Sequence, residues 1–166
     1  MKSTILSLIL LAVAPSKDSK SDPLRSKGLP VEMTAKGGLK IDLEKRIGYA
    51  ETDVVIKRAD VTVCCDKAVA KYTKNRIQSV ECKGRVIILR PDGTVARADR
   101  AIFQADKDKV KLSGTAKVRS EDTELEGDEI VYDIAQDKLK VRGSNSRFRF
   151  VPKNLPAMKL ERQCPP

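Results

Sequence analysis

Hydrophobic and polar side chains alternate with a period of two along much of the chain between residues 31 and 151, a pattern typical of β-strands. In residues 110–118, small or apolar residues occupy every even position and polar residues every odd one. Residues 138–142 continue this pattern, whereas almost no segment has the 3.6-residue period of a helix. The denser apolar run at residues 86–89 predicts a strand that is covered on both faces. We therefore predict an all-β domain.

A repeat of about 30 residues organises this domain. In each unit an acidic residue precedes a short apolar strand, and a glycine ends the strand that follows. The repeated residues are Asp66, Asp99 and Asp128, with Gly84, Gly114 and Gly143. Near each Asp the alternation shifts by one residue, which predicts a bulge or corner where a strand bends from one sheet towards the other. We interpret these Asp residues as structural groups that hydrogen-bond backbone at the corners, and not as acid–base pairs.

The composition limits the partners, the catalytic or metal sites and the kind of core that the protein can have. The chain has 33 Lys+Arg against 23 Asp+Glu, a net charge of +10, which indicates an anionic partner such as nucleic acid, an acidic surface or a phosphorylated lipid. It has no His, which excludes His-ligated zinc sites and catalytic systems in which His activates Ser or Cys. Aromatic residues make up only 4% of the chain, so the core must come from small and aliphatic side chains.

The two ends of the chain differ from its middle. Residues 1–14 combine Lys2, an apolar run and a small-x-small motif, and they are predicted to be a cleavable signal peptide, although Pro15 leaves the cleavage position open. Residues 15–30 are predicted to be a flexible linker. Residues 31–151 form the domain, and residues 152–166 a basic, Pro-rich tail. The mature protein is thus expected outside the cytoplasm.

The four cysteines leave two interpretations open. Cys64, Cys65, Cys82 and Cys164 do not have the CxxC spacing of a metal site, so no metal is expected. Outside the cytoplasm disulfides are stable, and Cys82 could pair with Cys64 or Cys65 across a hairpin. Buried free thiols are the equal alternative.

The order of short motifs in residues 31–151 resembles the OstA-like N-terminal domain family, the building block of lipopolysaccharide-transport proteins. The matching segments are residues 31–35 (VEMTA), 39–42 (LKID), 49–56 (YAETDVVI), 84–88 (GRVII), 114–118 (GTAKV) and 127–133 (GDEIVYD). The paired Cys64 and Cys65, and Asp53 where the family often has Asn, depart from its pattern.

This resemblance implies an open, twisted antiparallel β-jellyroll that holds acyl chains between its sheets. It implies a soluble periplasmic bridge protein for lipopolysaccharide transport and outer-membrane biogenesis, with no enzymatic activity and no cofactor. The expected partners are lipopolysaccharide, LptC-like and LptD-like jellyroll domains and further copies of the chain. Edge strands at residues 31–36 and 147–151 are the candidates for pairing with them.

Inward positions of the predicted strands supply the candidate lipid groove. Small aliphatic side chains can leave an apolar slot between two sheets that lie about 10 Å apart. The groove candidates are Val54, Ile56, Val63, Val86, Ile88, Val110, Leu112, Val118, Ile130, Tyr132, Leu139 and Val141. The candidates for binding anionic head groups are Arg142, Arg147, Arg149 and Lys153, because half of the net charge lies in residues 142–166.

Other functions remain open at this point. The same aliphatic residues can pack into a closed core, which would suit a structural periplasmic scaffold, or an LptC-like partner domain that carries no lipid. A nucleic-acid binder fits the positive charge and the RFRF segment at residues 147–150, but the export signal and the scarcity of aromatic residues count against it. An enzyme is disfavoured because no nucleophile motif or phosphate loop is present.

Overall fold

The computed structural model describes residues 30–59, 61–152 and 164, and these residues form ten β-strands and no helix. The strands are β1 (Val31–Thr34), β2 (Leu39–Asp42), β3 (Ile47–Arg58), β4 (Val61–Tyr72), β5 (Ile77–Leu89), β6 (Val95–Gln104), β7 (Lys109–Arg119), β8 (Thr123–Asp133), β9 (Lys138–Arg142) and β10 (Arg147–Phe150). The prediction of an all-β domain is confirmed. The predicted signal peptide, most of the linker and most of the tail lie outside the described residues.

All ten strands belong to one antiparallel sheet. Its order is β1-β3-β4-β5-β6-β7-β8-β10, with β2 also paired to β3 and β9 also paired to β8. The six long strands β3 to β8 thus form the middle of the sheet, and each of its two sides ends in two short strands. Successive long strands are joined by tight turns, which accounts for the purely antiparallel pairing.

Every pair of neighbouring long strands has a register shift near its midpoint. In β7 and β8, for example, the shift lies between Ser113 and Ala116. Bulges of this kind bend a strand and increase its twist. One hydrophobic cluster contains inward residues from both sides of the shifts, so the sheet is folded over on itself.

The bend divides the sheet into two halves that face each other. The β1/β10 half contains β1, β10 and residues 54–58, 61–65, 86–89, 95–98, 116–119 and 123–127. The β2/β9 half contains β2, β9 and the remaining parts of the long strands. The predicted jellyroll is confirmed, with its two sheets being halves of one continuous sheet.

The repeated Asp and Gly residues meet at the corners. Gly84, Gly114 and Gly143 each have a positive φ, and a Cβ atom on each would collide with Asp66, Asp99 and Asp128 respectively. The Asp128 carboxylate also accepts a hydrogen bond from the backbone N–H of Ser144, at 3.2 Å. The structural interpretation of the repeated acids is therefore supported, and the glycines are required both by backbone conformation and by close approach.

Candidate functional site

An apolar cavity of about 80 Å³ lies between the two halves. It is lined by Val31, Ile56, Arg58, Val61, Val63, Ile77, Val80, Cys82, Ile88, Ala101, Phe103 and Val110. All of these side chains except that of Arg58 are apolar, and both halves contribute. The cavity lies in the part of the interior that is farther from the corners, towards the turns that join the strands.

Two arginines of the β1/β10 half lie over aromatic rings of the β2/β9 half at this turn end. The guanidinium carbon of Arg58 is 5.4 Å from the centre of the Phe103 ring, and that of Arg90 is 5.9 Å from the centre of the Tyr132 ring. These distances suit cation–π attraction. Both contacts join the two halves at their turn ends.

Small side chains fill much of the rest of the interior. Alanines from four long strands belong to the core cluster: Ala50, Ala68, Ala70, Ala96, Ala98, Ala101 and Ala116. Ala116 is completely buried. Because alanine reaches only a short distance from the backbone, these side chains allow the two halves to approach closely.

Most of the predicted groove residues lie in this interior. Val54, Ile56, Val86, Leu112 and Ile130 are buried in the core cluster, and Val63, Ile88, Val110, Val118 and Val141 are partly buried against it. Tyr132 and Leu139 are on the same face but outside the cluster. The Tyr132 hydroxyl donates to Asp137 at 2.7 Å, and Leu139 is 46% exposed at the end of the sheet.

Sequence reasoning missed several cavity residues, among them Ile77, Val80 and Phe103. Phe103 pairs with both Val80 and Val110 across neighbouring strands, so the three side chains share one face. Only Val110 stood in a clearly alternating segment. Strand pairing, which cannot be read from one segment alone, was the missing signal.

The inward face continues to both sides of the sheet, where it is no longer covered. Leu39 and Ile41 on β2 are exposed, as are Phe148 and Phe150 on β10. Leu39 pairs with the buried Ala50, and Phe148 pairs with Leu125, which places these exposed side chains on the inward face. An apolar strip therefore runs across the interior and emerges at both edges.

The candidate head-group residues face away from this interior. Arg142 follows the inward Val141, and Arg147 and Arg149 alternate with the two phenylalanines. The guanidinium groups of Arg142, Arg147 and Arg149 lie 3.2, 3.9 and 3.8 Å from Glu129, Glu126 and Glu124 respectively. Arg142 belongs to one half and the other two to the opposite half, so they do not form one cluster. Lys153 lies outside the described residues.

The outward acids are engaged by more than one cation. Glu129 lies 2.6 Å from Lys111 and 3.2 Å from Arg142, and the hydrogen bond from Lys111 is the main reason that its pKa is lowered. Burial acts to raise the pKa of Glu81, but Lys83 and Arg100 outweigh it and lower that pKa. Both carboxylates are therefore neutralised locally, and the positive charge remains in excess.

Two of the four cysteines form a disulfide and the other two are free. Cys64 forms a disulfide with Cys164, a partner that the sequence did not indicate, and it lies with Ile87 in a small cluster on the outward face. The pairing of Cys82 with Cys64, one of the two disulfides that the sequence left open, is therefore wrong, and the structure contains no bond between Cys82 and Cys65. Cys65 and Cys82 are free and buried on the inward face, as the alternative interpretation expected.

The described ranges contain neither a group of three potential metal-ligating side chains nor a helix long and apolar enough to cross a membrane. The geometry of the site thus consists of an apolar interior, apolar edges and positively charged outer faces.

Comparison with known proteins agrees with this geometry. Residues 34–138 match the family described as LptA/(LptD N-terminal domain) LPS transport protein. The fold is similar to the crystal structure of LptH, the LptA-homologous periplasmic component of the lipopolysaccharide transport device from Pseudomonas aeruginosa, with a TM-score of 0.66 and 20% identity over 75% of this chain and 95% of that chain. No curated protein matched. Because the family match spans more than half of the sequence, the chain belongs to the LptA/LptD N-terminal domain family of lipopolysaccharide transport proteins.

Proposed function

We propose that this protein is a periplasmic carrier that shields the acyl chains of lipopolysaccharide between the two halves of its sheet. The observation that carries the proposal is the apolar cavity between Ile88 and Val63 on one half and Phe103 and Val110 on the other. Acyl chains gain free energy by leaving water, roughly 0.8 kcal/mol for each methylene. A continuous apolar strip from edge to edge offers that gain along the whole width of the sheet.

The carrier has to open to take up its cargo. An engineered apolar cavity of about 150 Å³ binds benzene, whereas the cavity here is about 80 Å³. Two of the contacts that resist opening are Arg58 with Phe103 and Arg90 with Tyr132. Each is worth about 0.5–2 kcal/mol. Burial of about five methylenes of an acyl chain would offset the loss of these two contacts.

The phosphorylated sugars of the lipid stay in water beside the positively charged outer faces. Arg142, Arg147 and Arg149 remain the candidates for phosphate, since a guanidinium group can bind phosphate with two parallel hydrogen bonds. Each of the three now lies near a glutamate, so a phosphate has to compete with that carboxylate. Their positions close to the β9/β10 side place them beside the exit of the apolar strip.

The bridge between membranes is built by strand addition. The outermost strands β1, β2, β9 and β10 have four or five residues each. Of these, β2, β9 and β10 carry exposed apolar side chains of the inward face. An LptC-like or LptD-like jellyroll domain, or a second copy of this chain, would cover those side chains and extend the strip. Head-to-tail pairing of this kind forms an open chain of subunits.

Site-specific photo-crosslinking tests the carrier function. A photoreactive residue is placed at the inward positions Val110 and Val118, and as matched controls at their outward neighbours Lys111 and Lys117. We expect lipopolysaccharide adducts at the inward pair and adducts at least tenfold weaker at the outward pair. Equal labelling of both pairs, or none at either, would contradict lipid carriage and favour a structural scaffold or a partner domain without cargo.

A further inference from the structure

The side chains of the neighbouring residues Cys64 and Cys65 lie on opposite faces of β4. Successive side chains of a strand point to opposite sides, so the disulfide of Cys64 with Cys164 lies outside and the Cys65 thiol inside. The backbone of the sheet separates the two. The candidate partner of Cys65 is therefore Cys82, the other free cysteine of the described residues.

Cys65 and Cys82 meet because the sheet bends between them. The register of β4 with β5 shifts between Cys64 and Lys67, and Cys82 pairs with Ala68 just beyond that shift. Inward side chains on the two sides of a concave bend converge. Both side chains belong to the same buried cluster, and the Cys65 Sγ donates to the backbone oxygen of Lys67 at 3.2 Å, on the side of the shift where Cys82 lies.

We propose that Cys65 and Cys82 form a second disulfide, made while the chain folds outside the cytoplasm. The oxidant is a disulfide-bearing protein or small molecule. One cysteine thiolate attacks the oxidant and displaces its first thiol, and the second cysteine then attacks the resulting mixed disulfide. The two protein thiols lose two electrons and two protons, and the oxidant leaves as two thiols.

Both thiols of the pair are shielded from solvent in the folded protein. Cys65 is 4% exposed and Cys82 3%. The exchange therefore precedes closure of the two halves.

The bond would tie β4 to β5 on the inner side of a corner. Cys82 also lines the apolar cavity, whose other residues extend from there towards the turns. A covalent link at this point keeps the halves together at the corner. Any separation of the halves is then confined to the turn end, where only side-chain contacts hold them.

Thiol counting tests the proposal. The full chain is exported to an oxidising compartment, purified without reductant, unfolded and alkylated with iodoacetamide. We expect no alkylated cysteine, because both pairs are oxidised. Alkylation at Cys65 and Cys82 would overturn the proposal and leave the pair as buried free thiols.

Trypsin does not cleave between Cys64 and Cys65, so a tryptic peptide that contains both does not show which of them is bonded to Cys82. Cysteine variants therefore identify the bonded partners. In Cys65→Ser, we expect one alkylated thiol, at Cys82. Alkylation at Cys164 instead would show that Cys82 bonds to Cys64 and would overturn the proposal. In the Cys64→Ser/Cys164→Ser variant, a crosslinked peptide pair containing Cys65 and Cys82 is expected, and its absence from the folded protein would count against it. Should either variant fail to fold, non-reducing peptide mapping of the wild type after cleavage N-terminal to cysteine gives the same distinction.

Discussion

Single residues at the corners decide whether the strands can bend. Gly114 combines a φ of +73° with the close approach of the Asp99 carboxylate, so it meets two requirements at once. Gly93, in the turn between β5 and β6, has a φ of +81°, but no heavy atom lies within 4 Å of the position that a Cβ atom would take. A comparison of alanine substitutions at the two glycines therefore separates the free-energy cost of a left-handed backbone from the cost of a collision with Asp99.

We expect Gly114→Ala to lower the free energy of unfolding by on the order of 3 kcal/mol, because left-handed strain and a collision with Asp99 act together. Gly93→Ala, the matched control, should cost roughly 1–2 kcal/mol through strain alone. Urea denaturation followed by circular dichroism measures both. Equal losses in the two variants would mean that the Asp99 contact does not constrain the corner.

At the scale of elements, the short outer strands contrast with the long central ones. β10 has four residues, all exposed, and it is held by its pairing with β8 and by ion pairs from Arg147 and Arg149. Its two phenylalanines extend the apolar inner face beyond the covered interior. An edge strand with exposed apolar side chains is a ready site for pairing with another chain.

The variant Phe148→Asp/Phe150→Asp should weaken self-association, or binding to an LptC-like or LptD-like domain, by at least tenfold. Both side chains are more than 60% exposed, so the fold should persist. Ile102→Asp, on the outward face of β6 and far from both edges, is the control and should associate normally. Sedimentation velocity over a concentration series measures the effect. Unchanged association of the double variant would contradict pairing through β10.

At the scale of the whole molecule, positive charge is distributed over both outer faces and balanced by only 23 acids. The pKa values of Glu81 and Glu129 are lowered in the folded protein, so these carboxylates bind protons less readily than in the unfolded chain. Their contribution to stability is fully present above the ordinary Glu pKa of about 4.3 and is lost as the pH falls through their lowered values. Protonation of the other acids raises self-repulsion at the same time.

We therefore expect the thermal unfolding midpoint to fall between pH 7 and pH 3, and added salt to recover part of the loss at pH 3 by screening the repulsion. Glu129→Gln should show a smaller decrease across the same range, because one of the two shifted carboxylates is gone. Differential scanning calorimetry at low and high salt measures both. A midpoint that is independent of pH, or a decrease that salt does not affect, would contradict this account.

The sequence by itself determined the class of fold, the inward face and the corners. Alternation depends only on the two-residue period of a strand, so Val110, Leu112 and Val118 were placed correctly from their own segment. The Asp and Gly repeat marked the bends for the same local reason, because positive φ and tight approach restrict a position to glycine.

Tertiary structure alone decided which side chains meet. The cavity joins Ile77 and Phe103 to residues of the opposite half, and Cys64 bonds to Cys164, which is 100 residues away. The local pattern contains no information on such contacts, because they depend on the register of the pairing and on how far the sheet folds over. The same reason explains why Leu139 and Phe148, inward by pattern, are exposed: burial requires a covering partner, and at the two edges of the sheet this chain provides none among its described residues.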